Sequence, residues 1–315
     1  SRAGNTSNAL ASGGFNNPSS TAVEEWTGPG VPIGAWATGV SINTARRDGA
    51  SGGAGTPTAS IVFGGYSSTD VGDTESFNGS AWTELNNLNS ARSELAGGGT
   101  STAALAFGGS GPTGNTETWN GTNWTEVNNL NTARTGLGGA GAAPNTATLA
   151  FGGGPGTIAD TESWNGTNWT EVNNLNTGRR YLGGIGATNT ASLAFAGYNG
   201  SAYVGITELW NGTNWTETND MTRPAKYSFT GDSGSSTAGL AFGGYSPGVS
   251  ALTEEWNGAG WAEVGDLNTA RGYLMGSGTT TASLAVAGTP DGSNNTAVTE
   301  EWSGSTTVTK TVSTD

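Results

Sequence analysis

Apolar and small residues recur along the chain in short alternating runs. The run at residues 146–151 sets the pattern: Ala147, Leu149 and Phe151 share one face, with Thr148 and Ala150 between them. Small or apolar residues on both sides predict a strand covered on both faces, its register held by packing rather than by contrast with water. The pair Gly152-Gly153 then ends the run, because glycine reaches backbone angles that a Cβ disfavours. Further strands are predicted over 134–142, after Arg134, and over 161–164 and 168–172. Asn165-Gly166 joins the last two and predicts a type I′ hairpin turn, with both central residues at positive φ.

The whole pattern is a repeat. Thr-Glu-x-Trp-Asn-Gly, Trp-Thr-Glu, Leu-Asn-Thr-Ala-Arg and Leu-Ala-Phe-Gly-Gly return in order, and Gly108 to Gly152 gives the usual step of 44 residues. Gly pairs start at Gly13, Gly64, Gly108, Gly152 and Gly243, with Ala in the first place at Ala196-Gly197 and Ala287-Gly288. Third-strand aromatics number seven: Trp26, Phe77, Trp119, Trp164, Trp210, Trp256 and Trp302. Repeats of 40–50 residues made of short strands predict an all-β fold, a seven-bladed β-propeller with four antiparallel strands per blade, as one domain over 1–315. The repeat Arg occurs only six times, at Arg46, Arg92, Arg134, Arg179, Arg223 and Arg271. The first blade is therefore expected to lack the start of its inner strand. Ring closure is expected to set that blade beside the one ending at 306–312.

The order of Arg, a second strand ending in Gly-Gly, a third-strand aromatic and a Trp five residues later resembles the kelch repeat over essentially the whole chain. The copies place Trp where the common motif has Tyr, and their mutual likeness is similar to that of some phage and environmental kelch-like proteins. The resemblance implies a propeller. It also brings to mind kelch-like copper oxidases, whose chemistry needs imidazole ligands and a Tyr-Cys crosslink. With no His and no Cys in this chain, that chemistry is excluded, together with Ser-His-Asp triads, Cys-His pairs and ordinary zinc sites.

Composition narrows the partners. Hydrophobic residues make up only 33%, with 55 Gly, a balance that would suggest disorder but for twelve regularly spaced Trp. A net charge of −14 with 11 basic residues provides no stripe for phosphates, so no nucleic-acid partner is expected. No run approaches 18 apolar residues, so no membrane insertion is expected either. The chain starts without Met or a signal peptide, as a processed product or a piece of something longer would.

Repetition separates scaffold from chemistry: a scaffold group is needed once per blade, a catalytic group once per protein. Trp119, Trp124, Trp164, Trp169, Trp210, Trp215, Trp256 and Trp261, with the six repeat Arg, are read as structural. Glu75, Glu117, Glu162 and Glu208, the second set Glu84, Glu126, Glu171, Glu217 and Glu263, and the doubled Glu24-Glu25, Glu254-Glu255 and Glu300-Glu301 are expected to pair with those Arg or with backbone donors, and a ring of Arg–Glu pairs to fix blade spacing. The sequons at Asn78, Asn120, Asn165, Asn211, Asn123, Asn168 and Asn214 are read chiefly as hairpin chemistry.

The segments between second and third strands differ in every copy and share a face with the Leu-Asn-Thr-Ala-Arg loops. On that face Phe15, Tyr66, Tyr198, Tyr203 and Tyr245 are candidate ligand contacts, with Tyr181, Tyr227 and Tyr273 nearer the axis. Unique acids (Asp48, Asp70, Asp73, Glu94, Asp160, Asp232 and Asp291) show no spacing that singles out a glycosidase pair. Asp70/Asp73 and Asp291 are candidate Ca2+ loops without EF-hand spacing. No catalytic residue and no obligatory cofactor are expected. The expected function is a non-enzymatic recognition or structural module on a virion or extracellular surface, part of a larger assembly, binding protein or glycan. The alternatives are a secreted bacterial lectin-like propeller and, third, a glycosidase-like enzyme.

Overall fold

The structure, a computed structural model, describes residues 34–52, 56, 58–141, 145–222, 233–245 and 248–304, and the backbone of 3–4, 9–14 and 20–26. All of its named elements are strands. The first three, β1 (Ala3–Gly4), β2 (Ala9–Gly14) and β3 (Ser20–Trp26), form a sheet of their own, and β4 (Ala35–Thr38) follows. Four four-stranded sheets come next. The first holds β5 (Ala50–Ser51), β6 (Ser60–Phe63), β7 (Thr74–Phe77) and β8 (Trp82–Leu85). The second holds β9 (Ala96–Thr100), β10 (Ala103–Phe107), β11 (Thr116–Trp119) and β12 (Trp124–Val127). The third holds β13 (Gly138–Ala140), β14 (Thr148–Phe151), β15 (Thr161–Trp164) and β16 (Trp169–Val172). The fourth holds β17 (Gly183–Thr188), β18 (Ala191–Phe195), β19 (Thr207–Trp210) and β20 (Trp215–Glu217).

The remaining strands make one eight-stranded sheet with two halves. One half is β21 (Ser233–Ser235), β22 (Ala238–Phe242), β23 (Thr253–Trp256) and β24 (Trp261–Glu263). The other is β25 (Met275–Thr279), β26 (Ala282–Val286), β27 (Thr299–Ser303) and, at its outer edge, β4. A single parallel bridge, Ser233 to Gly278, joins the halves.

The inner strands β5, β9, β13, β17, β21 and β25 touch in succession, and β25 touches β5. The ring thus closes over six four-stranded units, which corrects the expectation of seven blades in one ring. The physical cause lies between Trp26 and Trp36, ten residues apart where the other complete copies keep their aromatics five apart. The insertion frees β4 from its own copy, and it pairs instead with β27, Trp36 facing Trp302. Among the described residues the N-terminal copy forms a separate three-stranded sheet, in which β1 pairs as Ala3 with Leu10 and Gly4 with Ala9, the tail of an inner strand. The other expected closure, at 306–312, lies outside the described residues.

Neighbouring units are fastened by aromatic contacts and one repeated hydrogen bond. Phe107 of β10 meets Trp169 of the next unit with centroids 5.0 Å apart, and Phe151 meets Trp215 in the same way. The Trp169 indole N–H donates to Thr116 Oγ1 of the preceding unit at 3.1 Å, and Trp124, Trp215, Trp261 and Trp36 repeat the bond to Thr74, Thr161, Thr207 and Thr253. A buried indole finds a polar partner while filling the seam.

The first Glu set pairs with the Arg as expected but within a unit, whereas Glu84, Glu126 and Glu171 of the second set stand exposed on the outer strands, which corrects that part of the expectation. Arg46, Arg92, Arg179 and Arg271 bind Glu75, Glu117, Glu208 and Glu300 at 2.6–3.0 Å, and Arg134 binds Glu162. The Glu117 carboxylate also accepts from the Asn89 and Ser90 backbone N–H and the Asn89 amide. It therefore docks the incoming loop onto its own unit, and blade spacing rests with Trp and Thr instead. Burial lowers the Arg92, Arg179 and Arg271 pKa values, against which their Glu partners hold the charge. Arg223 lies outside the described residues.

The hairpins also differ from expectation. Gly121 and Gly166 have φ of 92° and 93°, but Asn120 and Asn165 do not enter positive φ. The central pair is Gly121-Thr122, glycine first, while Asn120 Oδ1 accepts the N–H groups of Thr122 and Asn123. Asn supplies acceptor chemistry ahead of the turn rather than a left-handed residue within it.

Candidate recognition face

The loops between second and third strands interlock with the loops that carry the repeat Arg, which places both on one face. Backbone bridges join Arg47 to Tyr66, Thr113 to Arg134, Thr135 to Gly154, Arg180 to Tyr198, and Gly272 to Thr289.

At its centre stand the residues two places after each repeat Arg, and backbone hydrogen bonds link the five described ones in a run. Asp48 N–H donates to Tyr273 O, Glu94 to Asp48 O, Gly136 to Glu94 O, and Tyr181 to Gly136 O, at 2.6–3.0 Å. All five have positive φ, from 51° to 58°, a conformation uncommon outside glycine. The sixth position, 225, lies outside the described residues. Sequence reasoning missed this run. Its signal was present: the slot holds Asp, Glu, Gly, Tyr, Ala and Tyr in copies whose preceding Arg never changes.

One side of the ring is acidic. Burial first, then the Glu94 charge, pushes the Asp48 carboxyl up to about 8, against the pull of Arg47, whose Nε lies 3.5 Å away. Glu94 accepts from Thr135 Oγ1 at 2.7 Å, and Asp70 accepts from Ser93 and Ser110 at 2.7 and 2.5 Å.

The other side is aromatic. The Arg180 guanidinium lies 5.2 Å from the Tyr181 ring centroid and 5.4 Å from that of Tyr198. Tyr198 packs on Tyr203 at 5.1 Å, and Tyr245 on Tyr273 at 5.4 Å. The Tyr181 ring fills the space in front of Gly136, where a Cβ would meet it at 2.7 Å. Arg180 forms no ion pair among the described residues, and its Nε is buried without a hydrogen-bond partner.

Of the candidate contacts, Tyr181 and Tyr273 stand on the inner ring, and Tyr198, Tyr203 and Tyr245 gather near them. Tyr66 stands apart, under the Arg47 guanidinium at 4.9 Å. Tyr203, 40% exposed, is one of two exposed large hydrophobic residues among those described, the other being Val40. Partial burial raises the Tyr203 phenol pKa, with Tyr198 adding to it. Phe15 and Tyr227 lie outside the side chains described.

Below the ring, a cavity of about 40 Å3 is lined by Gly and Leu, including Leu95, Leu137 and Leu182, room for about one water. At the candidate calcium loops Asp291 accepts from Ser293, Asn294 and Thr289 of its own loop, which holds its carboxyl below the usual range, whereas Asp70 and Asp73 accept from Ser93, Ser110 and Asn87 of other loops. Among the described residues no group of three or more acids is placed to hold a metal ion.

Architecture and face together define the class as a β-propeller built from Trp-containing repeats. A solved structure described as "Structure of YjhT" aligns with a TM-score of 0.66 at 11% identity, over 84% of this chain and 96% of that one. That likeness is one of fold. No family model and no curated protein matches the sequence.

Proposed function

We propose that the chain is a non-enzymatic recognition propeller of kelch type, displayed on a virion or extracellular surface within a larger assembly, that binds protein or glycan through its variable-loop face. The kelch assignment is supported by the positive-φ Gly-Gly or Ala-Gly pair after the second strand of each ring unit and by the aromatic pairs of the third and fourth strands. Binding is supported above all by the Tyr203 ring, one of two large apolar groups exposed among the described residues, which packs on Tyr198 under the Arg180 guanidinium, itself without an ion pair among the described residues. Rigid aromatic faces with polar tips lose little rotamer freedom on contact.

The test is a glycan array and a binding screen against surface proteins, comparing the wild type with Tyr203→Ala and with Thr83→Ala on the exposed outer strand. Tyr203→Ala is expected to lower affinity at least about tenfold, as loss of a central aromatic anchor does, with Thr83→Ala unchanged. Equal binding by all three would refute the reading. The lectin-like alternative gains from the adjoining Tyr198 and Tyr203 rings, since an aromatic ring face suits the apolar face of a sugar. The glycosidase-like alternative gains from Asp48, whose carboxyl holds its proton at pH 7 as a general acid must. Sugar turnover abolished by Asp48→Asn would favour that alternative over the others.

A further inference from the structure

The slot directly after the repeat Arg holds a second arginine in two units, Arg47 and Arg180. The two are built alike. An antiparallel backbone bridge joins Arg47 to Tyr66 and Arg180 to Tyr198, and each guanidinium lies over that Tyr ring, at 4.9 and 5.4 Å. Stacking occupies the face of a guanidinium and leaves its edge of N–H donors for oxygen acceptors.

The two edges meet different surroundings. Arg47 Nη1 donates to Ser293 O at 3.0 Å and to Asn295 Oδ1 at 3.2 Å, and Asp48 lies 3.5 Å from its Nε. The first two oxygens come from the loop of the neighbouring unit, the third from the next residue of the chain. The loop equivalently placed beside Arg180 reads Gly-Pro-Gly-Thr-Ile over 154–158, with no acid or amide, and the next residue is Tyr181. Among the described residues the Arg180 side chain has no hydrogen bond and no ion pair, although its Nε is buried. A buried donor without an acceptor is costly. Tyr181 flanks the guanidinium at 5.2 Å, and Tyr203 packs on Tyr198 at 5.1 Å. Burial does most to raise the Tyr203 phenol pKa, and the Arg180 charge pulls against it, so the two groups share one patch.

Resting on the recognition reading above, we propose that this patch takes a carboxylate-bearing sugar: a uronate carboxylate binds the edge of Arg180, as Ser293 and Asn295 bind that of Arg47, and the sugar ring lies against Tyr203. Charge selects a carboxylate over a neutral oxygen. Arg47 has Asp48 beside it, whereas the position after Arg180 holds a tyrosine. A carboxylate also matches the flat guanidinium fork with two parallel bonds. A chain of net charge −14 draws no anion from a distance, so selectivity has to come from this contact. Shape selects a sugar over a peptide. Extended peptides are taken by strand edges or grooves, and the described residues of this patch form loops around exposed ring surface.

The test is a glycan array that pairs uronate oligosaccharides with neutral isosteres, oligogalacturonate with oligogalactose, and adds sulfated sugars and acidic peptides. Wild type should prefer the uronate at least about tenfold, as hydrogen bonds to charged groups allow. Arg180→Gln should lose that preference with little change in melting temperature, since its side chain makes no hydrogen bond among the described residues. Arg180→Lys, which keeps the charge and loses the fork, should retain only part of it. Tyr203→Ala should weaken both sugars alike. Equal binding of uronate and neutral sugars that still falls with Tyr203→Ala would overturn the carboxylate and leave the recognition face standing. A preference confined to sulfate esters or to acidic peptides would do the same. Absence of any binding by the wild type would overturn both.

Discussion

Trp36 is the residue on which closure of the ring depends, and its removal tests the architecture most directly. The side chain is 6% exposed, between Phe242 at 4.9 Å and Trp302 at 5.3 Å, with its N–H on Thr253 Oγ1 at 3.0 Å. Trp36→Ala removes nearly a whole indole from this seam. Truncation of a buried Trp costs about 3–5 kcal/mol through lost transfer energy and the cavity left behind. Trp169 is an internal control: its ring sits 5.0 Å from Phe107 and 5.3 Å from Trp164, with the same bond to Thr116.

The two sites should cost alike in contacts but differ in consequence. β16 is tethered to β15 by its hairpin, whereas no hairpin joins β4 to β27. Denaturant titration should show about 3–5 kcal/mol lost in both variants. Hydrogen exchange should show early loss of protection at residues 299–303 in Trp36→Ala only, because an opened outer strand uncovers the edge of β27. Less than about 1 kcal/mol lost on Trp36→Ala, or identical exchange maps, would refute closure by β4.

Three further outcomes are expected. Glu162→Gln strips the charge that accepts from Arg134, Asn131 and Thr132, leaves a buried guanidinium uncompensated, and should cost about 3–5 kcal/mol by denaturant titration; pairing it with Arg134→Met should restore part of that loss. Asp48 has a folded pKa of about 8 against 3.8 for the free group, so the folded state holds the extra proton and stability should fall as pH rises from about 4 to about 8. Thermal melts of Asp48→Asn should lack that slope and lie above wild type at pH 9. Gly152→Ala forces a Cβ within 2.6 Å of Arg179 O at φ 65°, and should lower the melting temperature by several degrees, whereas Gly111→Ala, with nothing near its Cβ, should carry the φ strain alone.

The propeller was legible because its signals are local and repeated. Gly152-Gly153 marks the end of β14, and the pair Trp164 and Trp169 marks a hairpin whose two indoles fill one seam together. The number of units in the ring was hidden, because a count of copies says nothing about which copy lends a strand to another. The deciding feature was the insertion Thr27-Gly28-Pro29-Gly30-Val31-Pro32 ahead of Trp36, which breaks the five-residue spacing and leaves the fourth strand free to pair elsewhere. The recognition face was half legible. Variation in the long loops led to Tyr198, Tyr203 and Tyr245, since a loop that differs in each copy is released from scaffold duty. The central ring escaped because its variation occupies one slot within an otherwise constant motif. Asp48, Glu94, Gly136, Tyr181 and Tyr273 share a left-handed backbone and a run of backbone hydrogen bonds that fix the main chain without fixing which side chain the slot carries. The fold can therefore repeat its backbone around the axis while presenting acids on one side of the mouth and aromatics on the other. Only the closed ring brings residues from so many copies to one mouth, so a binding site there would depend on the strand that closes it.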